Sequence, residues 1–346
     1  MSTKRKKTFL IISVVLIIII SVGGYVGYGY YKKIFSPNVK HDGFLYIPTN
    51  PSFQNVIDSL ENNKFLKDFE SFTSVCGLKK YKKIKSGKYK LTKGMSNNAL
   101  VNMLRGGRQV PVKITFNNIR TIEQFAGKVA KYIEPDSIAI SSLLNDDTFI
   151  SKYNFNKKTV ISNFIPNSYE VYWNISVKDF FIKMNKEYKK FWNKKRLEKA
   201  NKIGLTPAKV TVLASIVQAE QQAHNDEKAK IAGLYMNRLN KKIPLESDPT
   251  LLFALNDFEK KRVLNKDKEV KSPYNTYKHI GLPPGPINMP EISSIDAVLN
   301  YKKHDYIFMC AKEDFSGYHY FAKTNAQHER NAAKYHAALN KLKVYR

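Results

Sequence analysis

The chain has 346 residues and a formal net charge of +29, from 58 Lys and Arg against 29 Asp and Glu. That length holds about two ordinary domains and a sizeable core, so size does not exclude an enzyme. The lysines are spread as pairs along the chain (Lys32-Lys33, Lys79-Lys80, Lys82-Lys83, Lys241-Lys242), and no zinc-finger, helix-turn-helix or ribonucleoprotein signature accompanies them. No nucleic-acid partner is expected; the charge fits either a solvated basic surface or attraction to polyanions and anionic membranes.

After Lys4-Arg5-Lys6-Lys7, the stretch Thr8 to Tyr31 carries no charge. As a helix it is long enough to cross the hydrocarbon core of a bilayer, and its tyrosine-rich end suits the headgroup region. Basic residues are denser before the span than just after it. The expectation is therefore a cytoplasmic tail (1–7), a transmembrane helix (8–31) and an extracytoplasmic remainder, at the inner (cytoplasmic) membrane. A cleaved signal peptide is the rival, but the apolar run is long for one and lacks an Ala-x-Ala site.

Residues 32–43, mostly polar and with Pro37 and Gly43, read as a tether. A strand at 44–48 follows, then a helix at 52–63 behind Ser52 as cap, with Val56, Ile57 and Leu60 at helical spacing. "GKYKLTKGMSNNALVNMLRGG" gives a strand, a turn at Gly94, and a helix opened by Ser96 and closed by Gly106-Gly107. "QVPVKITF" (109–116) alternates as a strand. The segment "SGKYKLTKGMSNNALVNMLRGG" resembles a LysM-like module, a small α/β unit that binds peptidoglycan glycans. The module is expected to span 44–115, and a purely structural packing domain is the other reading.

From Thr121 to about Lys199 the pattern is mostly helical, broken at "NFIPNSYEVYW" (163–173), whose aromatics would either line a groove or fill the core. Thr206 before Pro207 starts a helix that should reach about Gln222. On it, Leu213, Ile216, Val217 and Glu220 share one stripe with the carboxylate near its middle. Either Glu220 turns to solvent at the helix end, or an apolar setting raises its pKa and makes it a proton donor. His224 should fall one turn further on the same face. A helix at 227–241 should bury Ile231, Leu234, Tyr235 and Leu239.

Residues 243–290 are rich in loops and prolines, which can wall a groove at low entropic cost. Asp248 reads most simply as the cap of the helix that Pro249 begins; the alternative is a second carboxylate of the kind glycoside hydrolases use. A helix at 291–299, strands in "DYIFMCA" and "GYHYFAK", and a last helix with Thr324 and Gln327 as capping box complete the chain. Ser215 has no Gly-x-Ser-x-Gly elbow, and Cys76 and Cys310, read as free thiols or as one disulfide, have neither a neighbouring base nor metal-ligand spacing. No metal or organic cofactor is expected.

"LASIVQAE", "AGLYMNRLNKKIPLESDPTLLFAL", "SPYNTYKHIGLPPGPIN", "YIFMCA" and "YHYFAKTNAQHERN" together resemble the YceG-like family, endolytic murein transglycosylases also called MltG, over roughly residues 44–343. The resemblance implies an α+β protein: an N-terminal transmembrane helix, a small LysM-like α/β module, and a larger, mainly helical catalytic domain with short β-strands (116–346). It implies a lytic transglycosylase that cuts nascent glycan strands internally and forms a 1,6-anhydro end, with Glu220 as catalytic acid/base. Asn237, Ser247, Asp248, Tyr274, Asn275, Thr276 and His319 are implied as groove-lining. Peptidoglycan strands, the lipid bilayer and peptidoglycan synthases are the implied partners. Two departures stand out: Gln218 and Ala219 occupy positions where family members often carry an acid and a base, and "NMPEI" replaces an Asn-Pro-Gly after "GPI". A hydrolase of the same bond, with Asp248 guiding water, and an inactive wall-binding scaffold are the competing functions.

Overall fold

The structure, a computed structural model, describes residues 3–260 and 263–341. Met1 and Ser2 of the expected cytoplasmic tail, and residues 342–346 at the end of the expected catalytic segment, lie outside the described residues. Helix α1 (Thr3–Phe35) has 33 residues, about 50 Å at the α-helical rise and more than the roughly 30 Å of a bilayer's hydrocarbon core. Its large apolar side chains from Phe9 to Tyr31 are exposed, which is compatible with a single-pass membrane anchor. Backbone contacts divide the chain into two compact units, Met1–Val112 with Glu170–Ile175, and Lys113–Tyr169 with Ser176–Arg346.

In the first unit, β1 (Gly43–Ile47) and β2 (Gly87–Leu91) pair antiparallel, with Gly43 opposite Leu91 and Ile47 opposite Gly87. The period-two alternation puts Leu45, Ile47, Tyr89 and Leu91 in the core. Helices α2 (Phe53–Asn62), α3 (Phe69–Leu78) and α4 (Asn97–Gly106) pack on them. Ser52, Asp68 and Ser96 each accept the N–H three residues on, satisfying a free helix-end donor. Gly107, at φ 67°, closes α4 in the left-handed region.

Residues 32–43 differ from a loose tether. Helix α1 continues to Phe35, and Val39 is buried with its N–H on the Met95 carbonyl. Asn38 donates to the Asp68 carbonyl (2.8 Å) and to Asn97 Oδ1 (2.7 Å), and Asn97 donates to the Lys33 carbonyl (2.9 Å). Polar composition suggests hydration, but here the polar groups find protein partners and the segment packs.

In the second unit, residues of β3 (Val112–Phe116) and β4 (Asn167–Val171) share a two-stranded sheet, with Thr115 and Ser168 hydroxyls 2.6 Å apart. Helices α5 (Ile122–Val129), α6 (Ser137–Leu144), α7 (Asp147–Ile150) and α8 (Val177–Phe191) surround an aromatic core, while α9 (Lys194–Lys202) buries Ala200 in a separate cluster with Trp192. Phe125 and Phe164 lie 4.1 Å apart at the centre of the aromatic core, so Phe164 and Tyr169 of the broken-periodicity segment are core and not groove.

Helix α10 (Pro207–Glu220) is capped by Thr206 and packs against α11 (Asn225–Asn240), α12 (Asp248–Leu255) and α13 (Ile292–Leu299). Every residue from Val210 to Gln218 is buried. The helix is therefore enclosed on all sides where a single apolar stripe was expected, as an apolar helix in the middle of a domain must be. Ser215 is a joint: its hydroxyl accepts the Ile287 N–H (3.0 Å) and its carbonyl accepts Asn288 Nδ2 (3.0 Å), pinning the proline-rich loop to the helix. Strands β5 (Phe308–Ala311) and β6 (His319–Ala322) form an antiparallel hairpin against α14 (Asn325–Lys341). Thr324 caps α14 through the Gln327 N–H, while the Gln327 side chain accepts from Lys323 N–H. Both cysteines are free.

Candidate active site

Glu220 is the last residue of α10. The chain turns extended at Gln221 (φ −136°, ψ 99°), so the carboxyl sits at the mouth of the helix bundle, half-buried, and lines a cavity of about 360 Å³. Two hydroxyls converge on one of its oxygens. Tyr235 of α11 and Ser247, just before α12, both donate to Oε1 at 2.6 Å. Oε2 accepts no hydrogen bond among the described residues.

Burial raises the Glu220 pKa above its ordinary 4.5; the Ser247 and Tyr235 hydrogen bonds and the nearby His319 oppose the rise, and Asp248 adds to it. Burial and the neighbouring Glu220 push the Tyr235 phenol far up, so it remains a donor at any physiological pH.

Ser247 is held from behind. Its N–H donates to Thr276 Oγ1 (3.1 Å), which shares a hydrogen with Thr250 Oγ1 (2.8 Å), all of them buried. Asn275, fully buried, donates to the Lys268 and Val270 carbonyls (2.8 and 2.9 Å) and accepts the Tyr277 N–H. These bonds fix the loop that presents the Tyr277 hydroxyl to Asp248 Oδ1 at 2.6 Å.

On the opposite wall, His319 Nδ1 lies 2.7 Å from Glu227 Oε2, and the His319 N–H donates to Glu227 Oε1 (3.0 Å). Gln221 Nε2 donates to the same carboxylate (2.7 Å). Burial alone would raise Glu227, yet these hydrogen bonds outweigh it and hold its pKa below the ordinary value. An ionised Glu227 makes His319 Nδ1 the donor, and Nε2 has no partner among the described residues.

Of the residues picked from sequence, Glu220, Asp248 and His319 line this cavity and Ser247 touches Glu220. The others do not line it. Asn237 spends its amide on the His304 and Tyr306 carbonyls (2.6 and 2.9 Å), Tyr274 packs on Phe253 at 4.7 Å, and Asn275 and Thr276 are the buried supports just described. Their polarity signals a backbone to be held, which a sequence does not distinguish from a ligand to be met.

Asp248 is the first residue of α12 and caps nothing; its carboxylate turns to Tyr277 and the cavity. His224 does not meet Glu220, because α10 ends before it; its Nε2 lies 2.8 Å from the Ser316 carbonyl and its ring stacks on Tyr318. Sequence reading missed Tyr235, Tyr277 and Glu227 as site residues. Tyr235 was readable as core, but a buried tyrosine needs a partner for its hydroxyl, and the acid on the neighbouring helix supplies it. Gln218, at the first departure from the family pattern, is buried and its Oε1 accepts from Lys228 Nζ (3.1 Å) and from the Ser294 hydroxyl.

Fold and site together define a class: helix-dominant proteins with short strands and one N-terminal apolar helix, built around a half-buried carboxyl that faces a cavity. Within that class the chain belongs to the YceG-like family, whose family model matches residues 45–334. It is similar to the endolytic murein transglycosylase of Bacillus subtilis (strain 168), with 30% identity over 339 residues and 92% of each chain covered. It is also similar to the endolytic murein transglycosylase of Streptococcus pneumoniae serotype 2, with 27% identity over 367 residues; the match takes in 95% of this chain but 65% of that one. Among solved structures, a YceG-like protein from Listeria monocytogenes superposes with a TM-score of 0.57 at 27% identity, covering 84% of this chain and 98% of that one.

Proposed function

We propose that the protein is a membrane-anchored endolytic lytic transglycosylase that cleaves the bond between N-acetylmuramic acid and N-acetylglucosamine in peptidoglycan. The observation that carries the reading is the asymmetry of Glu220. Both protein hydrogen bonds fall on Oε1, so when the raised pKa keeps the group protonated, the proton resides on Oε2 of a side chain that lines the cavity. That is the arrangement of a general acid.

In the proposed reaction, Glu220 gives its proton to the glycosidic oxygen as the bond to the anomeric carbon breaks. The resulting carboxylate, stabilised by the Tyr235 and Ser247 hydroxyls, takes the proton of the muramic 6-hydroxyl as that oxygen attacks the same carbon. A 1,6-anhydro ring closes, Glu220 is again protonated, and no water is consumed. One carboxyl serves both steps because the nucleophile belongs to the substrate. No step calls for a metal or organic cofactor.

Similarity to the two murein transglycosylases supports the substrate class. The strand–helix–helix–strand order of the first unit, with β1 antiparallel to β2, supports the reading of residues 44–115 as a LysM-like module. The catalytic domain is taken as residues 116–346. The exposed apolar helix supports single-pass anchoring, with the N-terminus cytoplasmic, the rest facing the wall, and peptidoglycan synthases acting on the same nascent strands.

Asp248 on the wall of the same cavity favours one second reading, a hydrolase in which it guides water. Mass analysis of fragments released from purified sacculi by the full-length protein separates the two. Anhydro ends, lighter by one water than reducing ends, are the expected product. Reducing ends alone would assign hydrolysis, and no release at all would remove the enzymatic reading.

A further inference from the structure

We propose that a second cavity, on the far side of the last turn of α10, is a subsite for a carboxylate-bearing, N-acetylated sugar unit of the strand, and that Arg120 is its carboxylate-binding residue. The proposal rests on the glycan-cleaving reading above and names where the acidic part of that substrate goes.

The cavity, of about 210 Å³, is lined by Ala219, Gln222 and Pro249, the chain neighbours of Glu220 and Asp248, which line the first cavity. The two spaces therefore flank the end of α10 and the start of α12. An enzyme that cuts inside a strand must hold sugars on both sides of the bond, and a second cavity lined by Ala219, the acid's chain neighbour, supplies room for this.

Charge decides which part of the substrate each takes. The first cavity presents Glu220, Glu246 and Asp248 against one arginine, Arg238, which is already paired with Glu246. Among the described residues no acidic residue lines the second, and Arg120 is its one charged wall residue. The Arg120 guanidinium lies 4.3 Å from the Phe258 ring centroid, and among the described residues its side chain makes no hydrogen bond or ion pair. Arg196 and Arg238 of the same unit, by contrast, are each paired with a carboxylate, Asp296 and Glu246.

A guanidinium held over an aromatic ring has lost part of its freedom in advance and still has N–H groups to offer a planar anion. Carboxylate is the group those N–H groups fit, in two parallel bonds. Peptidoglycan offers carboxylates on the peptide stem, which is joined to the sugar through the muramic lactyl carboxyl. Asn288 adds a second recognition element. It is 4% exposed, its Nδ2 is committed to the Ser215 carbonyl, and its Oδ1 has no partner among the described residues. That oxygen is closed to solvent at the cavity wall, and a small outward shift of the amide would offer it to the N–H of an acetamido group. Phe253 and Leu252 supply the apolar surface that a sugar face covers.

The test compares KM of the full-length protein in detergent on two strand preparations, one with native stem carboxylates and one with them chemically amidated. A hydrogen-bonded charge pair corresponds to roughly tenfold or more in affinity, so the parent is expected to favour native strands by about that factor. Arg120→Gln is expected to collapse the ratio to near one, and Arg120→Lys to retain part of it. A ratio is insensitive to a general loss of folded protein, which lowers both rates alike. If the parent cuts both strands and Arg120→Gln keeps the parent ratio, the subsite is wrong while the glycan-cleaving reading stands. If the parent cuts neither, that reading falls and takes the subsite with it.

Discussion

Glu220→Gln is expected to reduce release of fragments from purified sacculi by roughly 10²- to 10⁴-fold, the range that a positioned acid or base contributes, while leaving the fold intact. The amide oxygen still accepts from Tyr235 and Ser247 as Oε1 does now, so the geometry is kept and only the transferable proton is lost. Stability provides the internal control, with a defined sign. Burial raises the folded-state pKa of Glu220 above its unfolded value. Both states are protonated at low pH; as pH climbs past the unfolded value the unfolded chain ionises first, and the native state loses stability. The neutral glutamine escapes this loss. At neutral pH the variant should therefore melt at or above the parent temperature. Cleavage at the parental rate by a variant that melts normally would remove Glu220 from the mechanism.

Gly233→Ala is expected to be a damaging single-methyl change near the site. A Cβ built there would lie 2.1 Å from the Lys302 carbonyl oxygen and 2.8 Å from His304 Nε2. That segment is itself tied to α11: Lys302 N–H donates to the Ala229 carbonyl, and His304 Nε2 lies 2.8 Å from the Lys230 carbonyl. A histidine ring can rotate away, but a backbone carbonyl held in this way must shift with its chain. Overpacking of this kind costs about 1–3 kcal/mol, and contact with backbone places it at the upper end, so the melting temperature should fall by about 5–10 °C. Activity should fall as well, because α11 also carries Tyr235. Thermal melting and cleavage assays on the same preparation check both, and an unchanged melting temperature would mean that the 302–304 segment is not held as described.

The elements most legible in the sequence are those that local chemistry dictates. Thr206-Pro207 starts α10, Ser52 and Ser96 open their helices, and an uncharged run marks α1. Each depends on neighbours within a few residues. Helix α3 escapes because Ser71, Thr73, Ser74 and Gly77, weak helix formers, are interspersed among its apolar positions Phe69, Phe72, Val75, Cys76 and Leu78. The packed state of residues 36–40 escapes for a related reason: Asn38 gains its stability from Asp68 and Asn97, 30 and 59 positions away.

The site divides along the same line. An acid closing an apolar run shows at position 220, but the hydroxyls that meet it come from positions 15 and 27 residues on, and only the fold brings them to one oxygen. Asn237 on α11 and Asn275 and Thr276 in the loop-rich region are polar residues, and the chain does not reveal whether such groups face a ligand or their own backbone. His224 was misplaced by one assumption, that α10 continues past Glu220; the helix ends there, and the histidine swings to Ser316 and Tyr318.

The central claim is that the fold keeps Glu220 protonated where an ordinary glutamate would be charged. Side-chain carboxyl NMR of the full-length protein, assigned by difference from Glu220→Gln, reads its titration midpoint directly. The midpoint should lie above the ordinary 4.5, since burial is the dominant influence, and Tyr235→Phe and Ser247→Ala should each move it further up by removing a bond that favours the carboxylate. A midpoint at or below 4.5 in the parent protein, unmoved by either variant, would contradict the account.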